Sequence, residues 1–252
     1  MLRGMYSSVS AMINLQSSQN VITNNIANLN TTGYKSETLV SKTFDDVLIS
    51  NNDKYVNGKG TKQELGVLNP GVKIDEVGTN YNQGTLVETD NETDFALNGK
   101  GFFTVRDTKG MRYYTRDGVF NVNSEGYLVN SLGYEVLNSN NQSIYVGNSK
   151  ILMDSNNNII LDSGVTHKFN IVGFDDYSIL NKIGRNLYTG ENARVSNNYE
   201  VRNKHKESSN VDIIDVTSAL MSNLRAFEAN QKVVQVMDST LSKIATEIGT
   251  VR

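Results

Sequence analysis

The most constraining feature of this chain is a seven-residue apolar repeat at its C-terminal end. The first lane of the repeat is apolar at every seventh position, at Ile213, Leu220, Phe227, Val234, Leu241 and Ile248. The companion lane, three residues later, consists of Val216, Asn223, Asn230, Met237, Ile244 and Val251. Two such lanes define a coiled-coil seam, in which a polar Asn fixes the register at some cost in stability. A helix of roughly forty residues is about 60 Å long, so we expect this stripe to need a partner beyond its own short chain.

A second apolar stripe lies at the N-terminus, in a stretch that contains no proline. Its apolar residues recur at steps of three and four, as in an amphipathic helix, at Leu2, Met5, Val9, Met12, Leu15, Ile22, Ile26 and Leu29. The stripe stops at Asn28, and Gly33 is suited to a left-handed exit from the helix. One short stripe would indicate an ordinary core helix. Two stripes at opposite ends favour pairing with each other, with neighbouring copies, or both.

Between these helices the sequence changes to short β-rich runs separated by Gly, Asn and Asp. The predicted strands are Phe95 to Leu97, Phe102 to Arg106, Tyr113 to Thr115, Tyr127 to Asn130, Ile159 to Leu161 and Lys168 to Val172. The run Asn123-Ser124-Glu125-Gly126 predicts a hairpin turn between two of them.

The sequence therefore predicts an α+β chain, in which long N- and C-terminal helices pair as a coiled-coil domain and an all-β domain is inserted between them. We divide it into an N-terminal assembly helix with its exit turn at residues 1–35, an extended linker region at 36–80, a central β-rich domain at 81–205, and a C-terminal coiled-coil helix at 209–252 that packs with 1–35.

Composition excludes several classes of function. The formal net charge of −3 gives no basic surface for nucleic acid. No run approaches the roughly 18 consecutive apolar residues of a membrane span, so we expect no membrane insertion. Residues 1–30 lack the apolar core and cleavage site of a secretory signal, which by itself predicts a cytoplasmic location. Cysteine is absent, so no disulfide or thiolate metal site is possible.

A search for catalytic or metal-binding residues gives no convincing site. His167 and His205 lack a second ligand at helical spacing, so a zinc site is not expected. Asp154 begins an Asn-rich stretch that lacks the glycine and the terminal glutamate of a calcium loop. Asp90 and Asp94 could serve a glycosidase, but acidic loop residues are usually solvated. We expect no catalytic residue, no cofactor and no metal.

Four separated motifs carry a family resemblance over nearly the whole chain. The first, Thr23-Asn24-Asn25-Ile26-Ala27-Asn28-Leu29-Asn30-Thr31-Thr32-Gly33-Tyr34-Lys35, resembles the signature of bacterial flagellar rod and hook proteins. The other three motifs follow in the family's order. The second comprises Phe95-Ala96-Leu97-Asn98-Gly99-Lys100-Gly101-Phe102-Phe103 and Tyr114-Thr115-Arg116-Asp117-Gly118-Val119-Phe120. The third is Ile183-Gly184-Arg185-Asn186-Leu187-Tyr188, and the fourth comprises Ser209-Asn210-Val211-Asp212 and Arg225-Ala226-Phe227-Glu228-Ala229-Asn230.

The resemblance implies a structural subunit of the flagellar rod that polymerises helically and transmits torque from motor to hook. Its implied partners are copies of itself, other rod and hook proteins, and the flagellar type III export apparatus. The implied location is the flagellar basal body, reached without a cleaved signal peptide, in place of the cytoplasm. The segment Phe44 to Leu48 and the Gly-rich run after it look most like the distal rod subunit, and the proximal rod subunit is the alternative.

The residues that we predict to form the assembly interface lie at the two ends of the chain. They are Leu2, Met5, Val9, Met12, Ile22, Asn24, Asn25, Ile26, Ala27, Asn28, Leu29 and Gly33, and Ile213, Leu220, Asn223, Phe227, Asn230, Val234, Met237, Leu241, Ile244 and Ile248. Two other classes compete with this hypothesis. A secreted coiled-coil adhesin would share the seam but should carry a signal peptide, and a wall-lytic enzyme would need catalytic carboxylates in a cleft.

Overall fold

The chain forms two compact units in the computed structural model, which describes residues 2–56, 59–147, 149–154, 157–162, 164–184, 186–196 and 198–249. The helical unit comprises Met1–Ile26, Glu37–Thr79 and Ile213–Arg252. The β unit comprises Ala27–Ser36 and Asn80–Asp212. The chain therefore passes from the first unit to the second and back twice.

The helical unit contains both long helices and two antiparallel strand pairs. Its elements are α1 (Leu2–Ala27), β1 (Glu37–Thr43), β2 (Val47–Val56), β3 (Lys59–Leu68), β4 (Val72–Thr79) and α2 (Ile213–Gly249). Strand β1 pairs with β4, and β2 pairs with β3 as a long two-stranded ribbon. The two helices lie against each other, since a Cβ added at Gly4 of α1 would come 2.9 Å from Cε of Met237 on α2.

The β unit consists of short strands and one 3-10 helix, Tyr177–Ile179. Its strands are β5 (Leu86–Glu88), β6 (Phe95–Gly99), β7 (Phe102–Arg106), β8 (Arg112–Thr115), β9 (Asn121–Val122), β10 (Leu128–Val129), β11 (Glu135–Val136), β12 (Ile151–Met153), β13 (Asn158–Leu161), β14 (Thr166–Lys168), β15 (Ile171–Gly173), β16 (Asn181–Gly184), β17 (Leu187–Thr189), β18 (Arg194–Val195), β19 (Tyr199–Asn203) and β20 (His205–Glu207).

One large sheet organises the β unit, with the strand order β16-β17-β8-β7-β11-β10-β9. Strand β15 adds to β7 and carries β18 on its other side. Alternate residues of β7 point to opposite faces, so Phe103 and Val105 enter the main core while Phe102 enters a second apolar cluster. Three aromatic rings anchor the main core, with the Phe103 ring 5.3 Å from Phe120 and 5.2 Å from Phe169, centroid to centroid.

The described structure confirms the α+β class, with two terminal helices and a β-rich middle. The predicted strand Phe102 to Arg106 has its predicted bounds. The predicted turn is also present, because Gly126 N donates to Asn123 O at 3.0 Å between β9 and β10.

Two predictions about strands were wrong. The segment Lys168 to Val172 is not one strand, because β14 ends at Lys168 and β15 begins at Ile171. Between them Phe169 is buried in the core, and Asn170 N donates to Leu137 O at 3.0 Å, so the chain crosses from one sheet to the next. The predicted strand Tyr127 to Asn130 shortens to β10, with Tyr127 in an isolated bridge.

Residues 36–80 are also more ordered than the predicted linker. They form the paired strands β1 to β4, which satisfy each other's backbone groups. Alternating apolar residues such as Leu39, Val72 and Ile74 are compatible with such pairing.

Candidate assembly surface and buried ionic cluster

Helix α2 turns its heptad lanes toward the inside of the helical unit. The least exposed positions of the helix are Val216, Leu220, Asn223, Ala226, Phe227, Asn230, Val234, Met237 and Leu241, all half-buried or buried. The ends of the predicted lanes behave differently, because Ile213 is 53% exposed and Ile244 is 37% exposed. The seam that is covered within one chain is therefore the central part of the predicted one.

Helix α1 shows a similar division. Met5, Met12, Ile22, Ile26 and Leu29 of the predicted interface are half-buried, whereas Val9 is exposed. The side chains of Leu2 and Ile248 lie outside the described residues.

The part of the helical unit that the structure describes nevertheless lacks a core of fully buried apolar side chains. Among the described residues, every apolar side chain that is fully buried belongs to the β unit. The buried side chains of the helical unit are two amides, Asn25 and Asn223. The apolar stripes of both helices are therefore partly exposed to solvent in a single chain.

Each helix also carries apolar residues on the side away from its half-buried face. At about 3.6 residues per turn, Ile214, Met221 and Val236 project opposite the lanes of α2, and they are 74%, 62% and 63% exposed. On α1, Tyr6 and Ile13 are 68% and 57% exposed. We call these five residues the outer stripes. Single exposed apolar residues are ordinary, and those that share one side of a helix are candidates for contacts with neighbouring copies.

The predicted interface asparagines have different environments. Asn25 binds the first residue of β1 with both ends of its amide, because its Nδ2 donates to Glu37 O at 2.7 Å and its Oδ1 accepts from Glu37 N at 3.0 Å. Asn230 Nδ2 donates to Ala226 O one turn back along α2, at 2.8 Å. The Oδ1 atom of Asn223 is buried without a hydrogen-bond partner in the described part of the chain.

The remaining predicted interface residues lie around the end of α1. Asn24 and Ala27 are exposed, so Ala27 does not lie in a close helix contact. Asn28 is half-buried, and its Oδ1 accepts from the Thr31 hydroxyl at 3.2 Å.

A buried ionic cluster lies in the β unit, where the first two sequence motifs meet Glu207. At its centre is Glu207, whose Oε1 accepts from Lys35 Nζ at 2.6 Å and whose Oε2 accepts from Arg116 at 3.3 Å. The side chains of Lys35 and Glu207 are both 0% exposed. Burial lowers the pKa of the Lys35 ammonium, and the Glu207 carboxylate opposes this shift.

Backbone groups complete the ionic cluster. Gly84 N donates to Glu207 Oε1 at 2.9 Å, and Lys35 Nζ also donates to Asn82 O at 2.8 Å. Arg116 donates to Gly99 O at 2.7 Å, and its guanidinium lies 5.5 Å from the centre of the Phe102 ring. Because most of the polar groups are satisfied, the cluster can hold charges that would otherwise be too costly to bury.

The turn after α1 packs directly beside this cluster. Gly33 has a φ of 66°, and a Cβ at this position would lie 2.5 Å from the carbonyl carbon of Arg116. Its N–H donates to Glu207 O at 2.8 Å. Only glycine meets both the left-handed conformation and the close backbone approach.

The third motif contributes Asn186, and the fourth contributes Asn210. Asn186 Nδ2 donates to Thr32 O at 2.8 Å. Asn210 accepts from Ser36 N at 2.8 Å and donates to Asn80 O at 2.8 Å. The segments that lead out of α1 and into α2 are thus held by hydrogen bonds within the β unit.

A carboxylic acid next to the ionic cluster should make stability depend on pH. Burial raises the pKa of Asp117, and the hydrogen bonds from Thr32 and Val119 only partly offset this. The folded state therefore binds the proton more tightly than the unfolded chain. Stability then decreases as the pH rises from about 3.9 through the raised pKa.

Asp117→Asn should remove this dependence, because the amide oxygen can still accept both hydrogen bonds and carries no charge. We expect the variant to be as stable as the native chain at acidic pH and more stable at neutral pH. Urea unfolding across this range measures the difference. A variant that is less stable than the native chain at neutral pH would show that the charge itself is required.

The described residues contain no group of three or more His, Asp and Glu side chains placed to hold a metal ion. The carbonyl oxygen of Asp154, in the stretch that lacks calcium-loop residues, accepts from Asn157 N at 3.0 Å. No helix among the residues searched is long and apolar enough to cross a membrane.

A β unit inserted between two long helices that expose apolar residues is typical of a structural assembly subunit. Comparisons with known proteins identify flagellar hook and rod families in three parts of the chain. The family described as "Flagella basal body rod protein" matches residues 5–35, "Flagellar hook protein FlgE/F/G D1 domain" matches 96–172, and "Flagellar basal body rod FlgEFG protein C-terminal" matches 203–247.

Similar curated proteins cover almost the full length. The flagellar hook-basal body complex protein FlhO of Bacillus subtilis is 30% identical over 99% of both chains. The flagellar basal-body rod protein FlgG of the same species is 30% identical over 97% of this chain and 98% of its own. The flagellar basal-body rod protein FlgF of Caulobacter vibrioides is 31% identical over 96% of each. The chain therefore belongs to the flagellar hook and basal-body rod protein family, and it is a structural rod protein of the basal body and not an enzyme.

Proposed function

We propose that this rod protein polymerises into a helical homopolymer through its helical unit and transmits torque from the motor to the hook. In each copy, the inner faces of α1 and α2 pair as a coiled coil. The outer stripes contact neighbouring copies, so the two sides of each helix serve different contacts.

The observation that supports this proposal is the missing core of the helical unit. A helix of 37 residues whose only fully buried side chain, among those described, is Asn223 gains little stability from its own chain. Burying one large aliphatic side chain stabilises a structure by about 1.5–3 kcal/mol. Neighbouring copies would bury the outer stripes and complete the helical unit, so we infer that the helices become fully ordered on assembly.

We further propose the other rod and hook proteins as neighbours at the two ends of the homopolymer. The chain would reach the basal body through the flagellar type III export apparatus, without a cleaved signal peptide. Its lack of cysteine suits export as an unfolded chain. Within the rod we favour the distal segment, because of the residues Phe44 to Leu48 and the Gly-rich run that follows.

Deletion of the gene tests the axial role. We expect the deletion strain to lose hook and filament and to be non-motile, while the export apparatus still assembles in the membrane. Electron microscopy of purified basal bodies and a swimming assay measure this result. Normal swimming would overturn the proposal, and restored swimming from a plasmid copy is the control.

A further inference from the structure

Two neighbouring depressions form a groove on the surface of the β unit. Its wider part has a volume of about 390 Å³ and its narrower part about 170 Å³. Ser139, Asn170 and Val195 line both parts, so the two are adjacent.

The groove is lined by uncharged hydrogen-bonding groups and by cations. Three amides surround the wider part, namely Asn141, Asn170 and Asn192. Arg112 lines the wider part, and Lys168 lines the narrower part. No Asp or Glu is among the described lining residues, although the whole chain carries a net charge of −3. A groove without carboxylates on an acidic protein favours a ligand with negative charge.

Each part of the groove contains one tyrosine, Tyr114 in the wider part and Tyr199 in the narrower part. The Tyr114 ring is fixed edge to face against Phe174, at 5.2 Å between centroids. Burial raises the pKa of both phenols, so both stay neutral and can donate hydrogen bonds. Aromatic rings with a polar end suit ligands that have both apolar faces and hydroxyl groups.

Polar capacity in the groove is only partly used within the chain. Asn170 Nδ2 donates to Asn141 Oδ1 at 3.0 Å. This bond orients the two amides and leaves the Asn141 amino group as a donor and the Asn170 carbonyl as an acceptor.

We propose that this groove binds an acidic oligosaccharide. Sugar hydroxyls would bond to the amides, sugar ring faces would lie on Tyr114 and Tyr199, and a sugar carboxylate would pair with Arg112. Lys168 gives the narrower part a second contact for a charged sugar further along the chain.

The full-length chain can be titrated with a tetramer of galacturonate, with neutral cellotetraose, with a tetramer of glutamate, and with sulfate. Isothermal calorimetry gives the affinities, and amide chemical shifts locate the binding. We expect the galacturonate tetramer to bind most tightly and to shift residues of the groove. Sulfate or glutamate tetramer binding as tightly would overturn the proposal, since it would show an anion site or a peptide site. No shifts in the groove would overturn it as well.

Two variants separate the groove from general charge effects. Arg112→Gln should weaken galacturonate binding about tenfold, which is about 1.4 kcal/mol, and Ser139→Trp should block the groove and abolish binding. Arg194→Gln is the matched control, because Arg194 is exposed, lies outside the lining residues and pairs with Asp175. Equal losses in Arg112→Gln and Arg194→Gln would contradict a specific site. Deletion-strain swimming tests the polymer separately, so either proposal can fail alone.

Discussion

Glu207→Gln should destabilise the β unit by about 3–5 kcal/mol, because it leaves two buried cations without their counter-charge. Lys35 and Arg116 both contact the Glu207 carboxylate, and neither side chain is more than 4% exposed. Gln can occupy the same volume but cannot neutralise them. Thermal or urea unfolding of the full chain, followed by the near-ultraviolet signal of the β-unit tyrosines, measures the loss.

Glu200→Gln is the matched control for Glu207→Gln. Glu200 also pairs with an arginine, Arg202 at 3.3 Å, but both side chains are about half exposed to solvent. Exposed ion pairs contribute little to stability, so we expect no measurable change. Equal losses of stability in the two variants would show that burial does not increase the contribution of Glu207 to stability.

Met221→Glu combined with Val236→Glu should prevent assembly and leave the monomer folded. Both side chains belong to the outer stripe of α2 and face water in a single copy, where carboxylates cause no strain. In the proposed polymer they would be buried without partners, at a cost of several kcal/mol per charge. We expect association between copies to weaken at least about 100-fold, with complete loss of swimming in a complemented deletion strain.

The conservative variant Met221→Leu with Val236→Ile is the control, because it keeps the outer stripe apolar and should restore swimming. The seam variant Leu220→Asp with Val234→Asp should behave differently from both. Its charges fall on the half-buried lanes, so helix content in far-ultraviolet circular dichroism should fall in the monomer as well. Normal swimming of the outer-stripe glutamate variant would contradict the assignment of that stripe to contacts between copies.

The sequence pattern predicted one face of α2 and did not predict the other. The heptad repeat predicted a long helix, and its lanes coincide with the least exposed positions from Val216 to Leu241. The predicted assembly interface did not include the outer-stripe residues Ile214, Met221 and Val236. A search for the strongest period ignores a second stripe with fewer apolar residues. Their spacing on the opposite side of an ideal helix was available as a signal.

The contacts of the ionic cluster, in contrast, could not be predicted from the sequence. Lys35, Arg116 and Glu207 are separated by as many as 172 positions, and nothing in the local pattern of any of them indicates a buried charge. The first two stood inside recognised motifs, so their importance could be anticipated without their contacts. Glu207 was missed entirely, since it precedes the Ser209-Asn210 motif and resembles an ordinary surface acid.

The sequence by itself determined the two terminal helices and the β-rich insertion, because periodicity and turn residues are local properties that propagate along one element. The class of protein followed from the resemblance of its four motifs to a known family. Tertiary structure alone decided how much of each predicted helix face is covered, that residues 36–80 pair as strands, and that distant residues meet around Glu207. Those outcomes depend on which surfaces come together in three dimensions, and the free energy of burying a charge or an apolar side chain is fixed only by what surrounds it.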